Sequence, residues 1–284
     1  MKTAIVTDSG SGLNKQQADA LGIYYLPLQI IVNDNMYLDG VDIQVEQIYE
    51  MLKQGEMPTT SMPPMGIIEE LFHKLKKDGY EDVIAIPLTS GLSSTSSVMH
   101  AVAKECELKL HIIETYSTCN IQCYLAKCAQ QLVKQEVAAE EIVKRLQDSV
   151  AHSDTLIIPN DLQHLKRGGR LTPLAATLGG LLKIKPILKI NKETNGKIDV
   201  VDKVRTMHKA MDMAIEIMRN EHVDDSYMIT VAHADDAVEA EYYMNKIKAA
   251  FPNAKHQIIK LVSVVGVHTG RGCQAVQYFK MIQE

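Results

Sequence analysis

The sequence has no tryptophan, 3 phenylalanines and no Cys-x-x-Cys pair. Its 5 cysteines are an odd number without regular spacing, which argues against a disulfide scaffold. Cys119, Cys123 and Cys128 fall close together, but no histidine stands at ligand spacing, so no metal site is expected. The thiols read instead as small buried or half-buried side chains. No apolar run approaches the roughly 18–20 residues that span a bilayer. The start, Met1-Lys2-Thr3-Ala4-Ile5-Val6-Thr7-Asp8, lacks the pattern of a secretory signal. Positive charge is not in excess either: 30 Lys and Arg against 35 Asp and Glu leave a net charge of −5. That balance speaks against nucleic acid as a partner, because counterion release needs a concentrated basic face. The expectation is a soluble cytoplasmic protein with no transmembrane segment.

What is present fits a globular chain. Hydrophobic residues make up 46% and charged residues 23%, far from the values of a disordered protein. At about 150 residues per domain, the 284 residues suggest two domains. The 14 methionines serve adaptable core packing, and flexible thioethers also suit a pocket that must fit an alkyl chain.

The first half alternates strand-like and helix-like segments. Ala4–Thr7 reads as a strand, and 26–32 with 36–38 as a hairpin about Asn33-Asp34-Asn35. Asp42 is a plausible N-cap for a helix that Gly55 ends, and a second helix runs from Pro63-Pro64 to Gly79. Strands at 83–88 and 108–113 alternate with helices up to Glu105 and over 119–149. This pattern predicts an α/β fold with a mostly parallel N-terminal sheet covered by helices on both faces. The second half starts near Leu156 and reads as another α/β domain. It holds strands at 185–190, 197–201, 227–232 and 258–267, with helices at 206–221 and 235–250. Domains of 1–155 and 156–284 follow, without a Pro/Ser linker, and a cleft between the halves is where a ligand would sit.

Several polar segments could carry chemistry. Asp8-Ser9-Gly10-Ser11-Gly12 lies beyond the first strand, at the edge where α/β sheets bind ligands, but it lacks the third glycine of a dinucleotide fingerprint. A turn with Asp8 bonded to nearby amides explains it equally well. Thr59-Thr60-Ser61-Met62-Pro63-Pro64 reads first as a helix N-cap, and secondly as a place where hydroxyls and free amides receive an anion. Ser90-Gly91-Leu92-Ser93-Ser94-Thr95-Ser96-Ser97 joins a buried strand to a helix, and its hydroxyls and amides suit a carboxylate or phosphate. Ser93 is not in a Gly-x-Ser-x-Gly elbow. Leu165-Lys166-Arg167-Gly168-Gly169-Arg170 is a basic loop, either solvated or a docking surface for an acidic partner. Gly266-Val267-His268-Thr269-Gly270-Arg271-Gly272 sets one histidine among glycines after an apolar run.

In this order and spacing, these segments resemble the DegV family, specifically the fatty-acid-binding subunits of bacterial fatty acid kinase. Lys185-Pro186, Val204-Arg205-Thr206 and His233 extend the resemblance to essentially the whole chain. It implies a two-domain α/β protein that holds one long-chain fatty acid in a buried tunnel between the domains, with no further cofactor. Carried over by position, the carboxylate would lie against Thr60 or Ser61, Ser93 and His268, with backbone amides near Ser93 and Ser94. A separate ATP-dependent kinase subunit would phosphorylate the acid to an acyl phosphate for phospholipid synthesis. Lys166, Arg167, Arg170 and Arg205 would contact that kinase, and the lipid cargo is compatible with a transient membrane-surface contact. The chain itself carries no P-loop and no kinase catalytic set, so no catalytic residue is expected on it.

The sequence departs from the family pattern at Met62, where Gln is usual, and at Ser94 and Ser96, where Gly and Tyr are frequent. Arg271 replaces a proline, and Glu114-Thr115 replaces an Asp-Ser or Asp-Thr. These changes bear on tunnel shape and partner surface. The apolar residues of Leu171 to Leu182, with Gly179-Gly180, are candidates for tunnel wall. Two alternatives are a serine acyl hydrolase using Ser93 with His268, and a phosphate- or nucleotide-binding enzyme using Asp8 to Gly12.

Overall fold

Ile5 and Val6 point to opposite faces of one strand, yet neither is exposed to solvent. A strand buried on both sides needs cover on both sides, and the computed structural model, which describes residues 2–177 and 184–282, supplies it. The first sheet has the order β2 (Tyr24–Leu26), β1 (Thr3–Asp8), β6 (Asp82–Ile86), β7 (Lys109–Ile112), with every pair parallel. On one face, α3 (Met65–Lys77) and α4 (Thr95–Glu105) set Ile68, Phe72 and Met99 against Ala4, Val6, Val83 and Ala85. On the other, α1 (Lys15–Leu21), α5 (Cys119–Lys134) and α6 (Ala139–Val150) bury Ile5, Ile84 and Ile86. The doubly covered parallel sheet is as expected.

A small antiparallel sheet, β4 (Asn35–Leu38), β3 (Gln29–Val32), β5 (Thr59–Ser61), stands beside it. The hairpin about Asn33 and Asp34 was legible, since both residues take positive φ. β5 was not: Thr59–Ser61 pairs with β3 instead of capping a helix, and the N-cap of α3 is Pro64. Asp42 is likewise no N-cap. It accepts the Leu38 amide at 2.9 Å, and α2 (Val45–Lys53) starts after Gln44.

The second half is a six-stranded mixed sheet in the order β10 (Asp199–Val204), β9 (Lys185–Ile190), β8 (Ser153–Ile158), β13 (Gln274–Lys280), β11 (Tyr227–His233), β12 (Lys255–Lys260). Only β11 and β12 run parallel. β8 spans the 155/156 position expected as a domain boundary. The outer face is covered by α9 (Met207–Asn220) and α10 (Ala237–Ala250), with Met211, Ala214 and Met218 of α9 fully buried at helical spacing. The inner face shares one apolar cluster with the first half, in which Leu28, Ile30 and Leu88 meet Ile157, Leu188 and Ala275.

The apolar stretch 258–267 is not one strand. β12 stops at Lys260, the Leu261 amide bonds the His233 carbonyl, and α11 (Ser263–Thr269) begins two residues later. A continuous apolar run does not separate buried strand from buried helix by periodicity, which is why this boundary was missed. The basic loop is also partly helical, with α7 (Leu162–Arg167) capped by Asp161, followed by α8 (Pro173–Thr177). Of the segment expected as tunnel wall, residues 178–183, including Gly179-Gly180, lie outside the described residues. In its described part Ala175 is buried in the shared core, and Leu174 is 62% exposed.

Candidate functional site

The two halves enclose a cavity of about 350 Å3. Its apolar wall comes from both, with Leu28, Leu88 and Cys119 facing Ile157, Ile190, Ala232, Leu261, Val264 and Ala275. Thr60, Ser61, Ser93, Ser94, Arg170 and His268 meet on the same cavity, so the structure brings together every residue expected at the carboxylate. None of residues 171–177 lines it.

Thr60 reaches the site because β5 pairs with β3 (Ile30 opposite Thr60), which holds its half-buried side chain toward α11. Its Oγ1 lies 2.6 Å from His268 Nε2, in the last turn of α11. Burial first, then the charges of Arg170 and His164, lower the His268 pKa to about 4, so the ring is neutral at pH 7. A neutral imidazole still offers one N–H to an anion without bringing a charge of its own. Gly168 explains how the ring is seated. A Cβ there would fall 2.7 Å from His268 Nδ1, so only glycine lets the basic loop close on the imidazole.

The serine loop supplies the opposite side. Ser93 Oγ lies 2.8 Å from Thr95 Oγ1 and accepts the Thr95 amide at 3.3 Å. The Ser93 amide itself is taken by the Thr89 carbonyl, so it is not among the donors free for a ligand. Ser94 is the N-cap of α4 but makes no capping bond through its side chain, whose Oγ points to Met62 Sδ at 3.3 Å. Of the first-turn amides of α4, that of Thr95 goes to Ser93 Oγ and that of Ser97 to the Ser94 carbonyl, so the N-terminus meets the cavity through Ser94 and the positive end of the helix dipole. The loop is seated by contact across the halves: a Cβ at Gly91 would lie 2.2 Å from the Gly196 carbonyl oxygen, in the turn between β9 and β10.

The basic residues separate. Arg170 is half-buried at the cavity and gives one N–H to the Gly168 carbonyl at 2.7 Å. Lys166 and Arg167 are exposed on the last turn of α7, and Arg205 is exposed between β10 and α9; all three lie off the cavity wall. The wall also holds residues the sequence did not single out: Thr118, Thr155 and Gln277. They come from a loop and two strands, and no linear pattern announces their meeting.

The key residues of both alternative chemistries are engaged in other bonds. Asp8 is wholly buried, and its carboxylate accepts the Gly10 amide (2.9 Å), the Leu88 amide (3.0 Å) and Gln122 Nε2 (2.8 Å). Burial pushes its pKa up to about 6 against those bonds, and Asp8 fastens the loop to the sheet edge, while Ser9, Ser11 and Gly12 line a separate cleft. For a hydrolase, His268 at a pKa of about 4 is too weak a base, and Ser93 Oγ is engaged with Thr95 while the imidazole is engaged with Thr60. Among the described residues, one group of metal-ligand types stands together: Asp82, His111 and Glu140. It lies at the far end of β6 from the cavity, with Lys109 Nζ 3.3 Å from Asp82 and also paired to Glu140. No helix among the described residues is long and apolar enough to cross a membrane.

The chain is similar to known proteins over its whole length. A family model described as "Uncharacterised protein, DegV family" matches residues 2–281. A DegV domain-containing protein of Halalkalibacterium halodurans is 33% identical over 281 residues, covering 98% of each chain. Protein DegV of Bacillus subtilis is 31% identical over 280 residues, 97% of this chain and 98% of that one. The crystal structure of DegV from Bacillus subtilis, described as a fatty acid binding protein, superposes with a TM-score of 0.87 at 30% identity, covering 99% and 100% of the two chains. A fatty acid binding DegV family protein of Streptococcus agalactiae gives a TM-score of 0.89 at 29% identity, covering 99% of each. With its doubly covered parallel sheet, its mixed second sheet and the cavity between them, the chain belongs to the DegV family.

Proposed function

We propose that this protein binds one long-chain fatty acid in the cavity between its halves and presents the carboxylate at the Thr60–His268 end. The observation that carries the reading is an apolar cavity of about 350 Å3 closed at one place by converging hydroxyls, a neutral imidazole and a helix N-terminus. That is the chemistry of an amphiphile with a long tail and an anionic head. Each buried methylene contributes about 0.8 kcal/mol, so a tail of about fifteen gains on the order of 12 kcal/mol before ordering costs. The ionised head cannot be buried bare, and hydrogen bonds to a charged group contribute about 1.5–3 kcal/mol each. Tail supplies affinity; head fixes direction. The relatives from Bacillus subtilis and Streptococcus agalactiae, both described as fatty acid binding, support the ligand class.

The finer reading is that the protein is a carrier and not itself an enzyme. A separate ATP-dependent kinase subunit in the cytoplasm phosphorylates the presented acid, and the acyl phosphate feeds phospholipid synthesis. Thr60, Ser61, Ser93, Ser94 and His268 hold the carboxylate, while Arg170 at the cavity and exposed Lys166, Arg167 and Arg205 form the surface offered to the kinase. The resemblance of the sequence segments to kinase-associated members of the family supports this, as does the proximity of Arg170 to the head-group end.

The test is native mass spectrometry of the protein purified from a bacterial host, followed by solvent extraction. A fatty acid at near one-to-one stoichiometry is expected. An empty protein that also takes up no added fatty acid would refute the reading.

A further inference from the structure

Resting on the fatty-acid reading, we infer that the cavity is built for an acyl chain carrying an oxygen along its length, a hydroxy fatty acid, with Thr155 as the donor that recognises it. The argument is a proton count. Thr155 and Gln277 are opposed residues of β8 and β13, 4% and 1% exposed, and both line the cavity. Gln277 Nε2 donates to Thr155 Oγ1 (3.1 Å), Ser117 Oγ (3.2 Å) and the Thr118 carbonyl (2.9 Å), and its Oε1 accepts the Asn120 amide (2.9 Å). The amide is fully used. The Ser117 and Thr155 hydroxyls lie 2.8 Å apart, so one of their two protons occupies that bond. The second has no acceptor among the described residues.

Ser117 is 1% exposed and lies off the cavity wall, whereas Thr155 is on it. If Thr155 donated to Ser117, the Ser117 proton would be stranded in packed interior. If Ser117 donates to Thr155, the remaining proton belongs to Thr155, a residue of the cavity wall. The second arrangement leaves nothing stranded once the cavity holds an acceptor. A plain alkyl chain offers none.

The donor is also set back from the His268 side of the head-group site, and it reaches the serine loop only through Ser117 and Thr89. The next pair on the same face of the two strands is Ile157 opposite Ala275, one pleat or about 7 Å closer to the end of the sheet where both ends of α11 are tied. Since α11 carries His268, the Thr155 hydroxyl meets the chain along its length and not at its carboxylate.

The experiment is competition on the full chain, read by native mass spectrometry. Stearic acid is offered at equal concentration with hydroxystearic acids bearing the hydroxyl at different carbons. One positional isomer is expected to win by about tenfold, the equivalent of one net hydrogen bond. In Thr155→Val that preference disappears, and in Thr155→Ser, which keeps the donor, it persists. Equal binding of all isomers and stearic acid by the unaltered protein, or an undiminished preference in a folded Thr155→Val, overturns the inference. If no acid of any kind binds, it is the fatty-acid reading that fails, and this inference falls with it.

Discussion

Thr60 and His268 lie 208 residues apart in the chain, and their side chains meet at 2.6 Å. One comes from a three-residue edge strand of the N-terminal half, the other from the last turn of a seven-residue helix of the C-terminal half. The site therefore exists only when the halves are assembled. This couples ligand to fold: anything that binds the assembled site draws the halves together by mass action. It also means that the head group is read by both halves at once.

The pair sets the first prediction. His268→Ala with Thr60→Val removes the bonded pair, whose one proton not spent on the mutual bond is left to donate to the carboxylate, and leaves the sheets intact. At about 1.5–3 kcal/mol for a hydrogen bond to a charged group, that loss lowers fatty-acid affinity by roughly tenfold to a hundredfold. Displacement titration with a fluorescent fatty acid measures this, and circular dichroism checks that the variant is folded. Unchanged affinity in a folded double variant would remove the head-group assignment.

The fold of this region was only partly legible. Lys185–Ile190 was readable as a strand because an apolar run is bounded by turn residues, and α9 because its methionines recur at helical spacing. β5 escaped because three hydroxyl residues before prolines look like a cap, and only the partner strand β3 makes them a strand. His268 was picked out as a histidine among glycines, but its helix was hidden in an apolar run. The reason for Gly168 is invisible without the imidazole that packs against it. Polar clusters at element ends stand out in the sequence, but their assignment to one head group comes from the resemblance to the DegV family and not from spacing. The cavity wall could not, because which apolar and hydroxyl side chains face one another depends on register and sheet order, which periodicity does not specify.

The second prediction concerns pH. His268 has its pKa lowered to about 4 from 6.5, with burial the leading cause. The unfolded chain thus takes up this proton before the folded one. The stability contributed by the neutral ring is whole above pH 6.5 and is lost as pH falls through 4. Fully developed, the difference is on the order of 3 kcal/mol. Asp8 and Asp39 act with the opposite sign. Their folded values, raised by burial to about 6 from 3.8, favour the fold increasingly as pH falls from above 6 to below 3.8. Replacing His268 by Gln separates the two effects. Denaturant unfolding at pH 7 and at pH 4 should show the variant gaining on the unaltered protein by a few kcal/mol at the lower pH. Parallel stability curves across that range would mean that the ring titrates normally in the folded protein.

The length of the acyl chain depends on how much of the cavity is left open, and Ala275 is a direct handle on it. It is 3% exposed, lies on the cavity wall opposite Ile157, and belongs to the strand pair one pleat from the Thr155–Gln277 pair. A leucine there points three further carbon atoms at the ligand, in a wall whose other members are already packed. Interiors are close-packed, so the added volume must come from the open space or from strain. Open space is the cheaper source in a cavity built for a removable chain. Ala275→Leu should therefore shift the co-purifying fatty acid toward chains shorter by about two or three carbons, and weaken the original chain by roughly 0.8 kcal/mol for each methylene displaced. The head-group bonds at Thr60 and His268 are untouched by the change, so occupancy should stay near one ligand per chain while the composition moves. Extraction and mass spectrometry of the two proteins, grown side by side, measures both quantities. An unaltered chain-length distribution in a fully occupied variant would place the tail elsewhere than along β13.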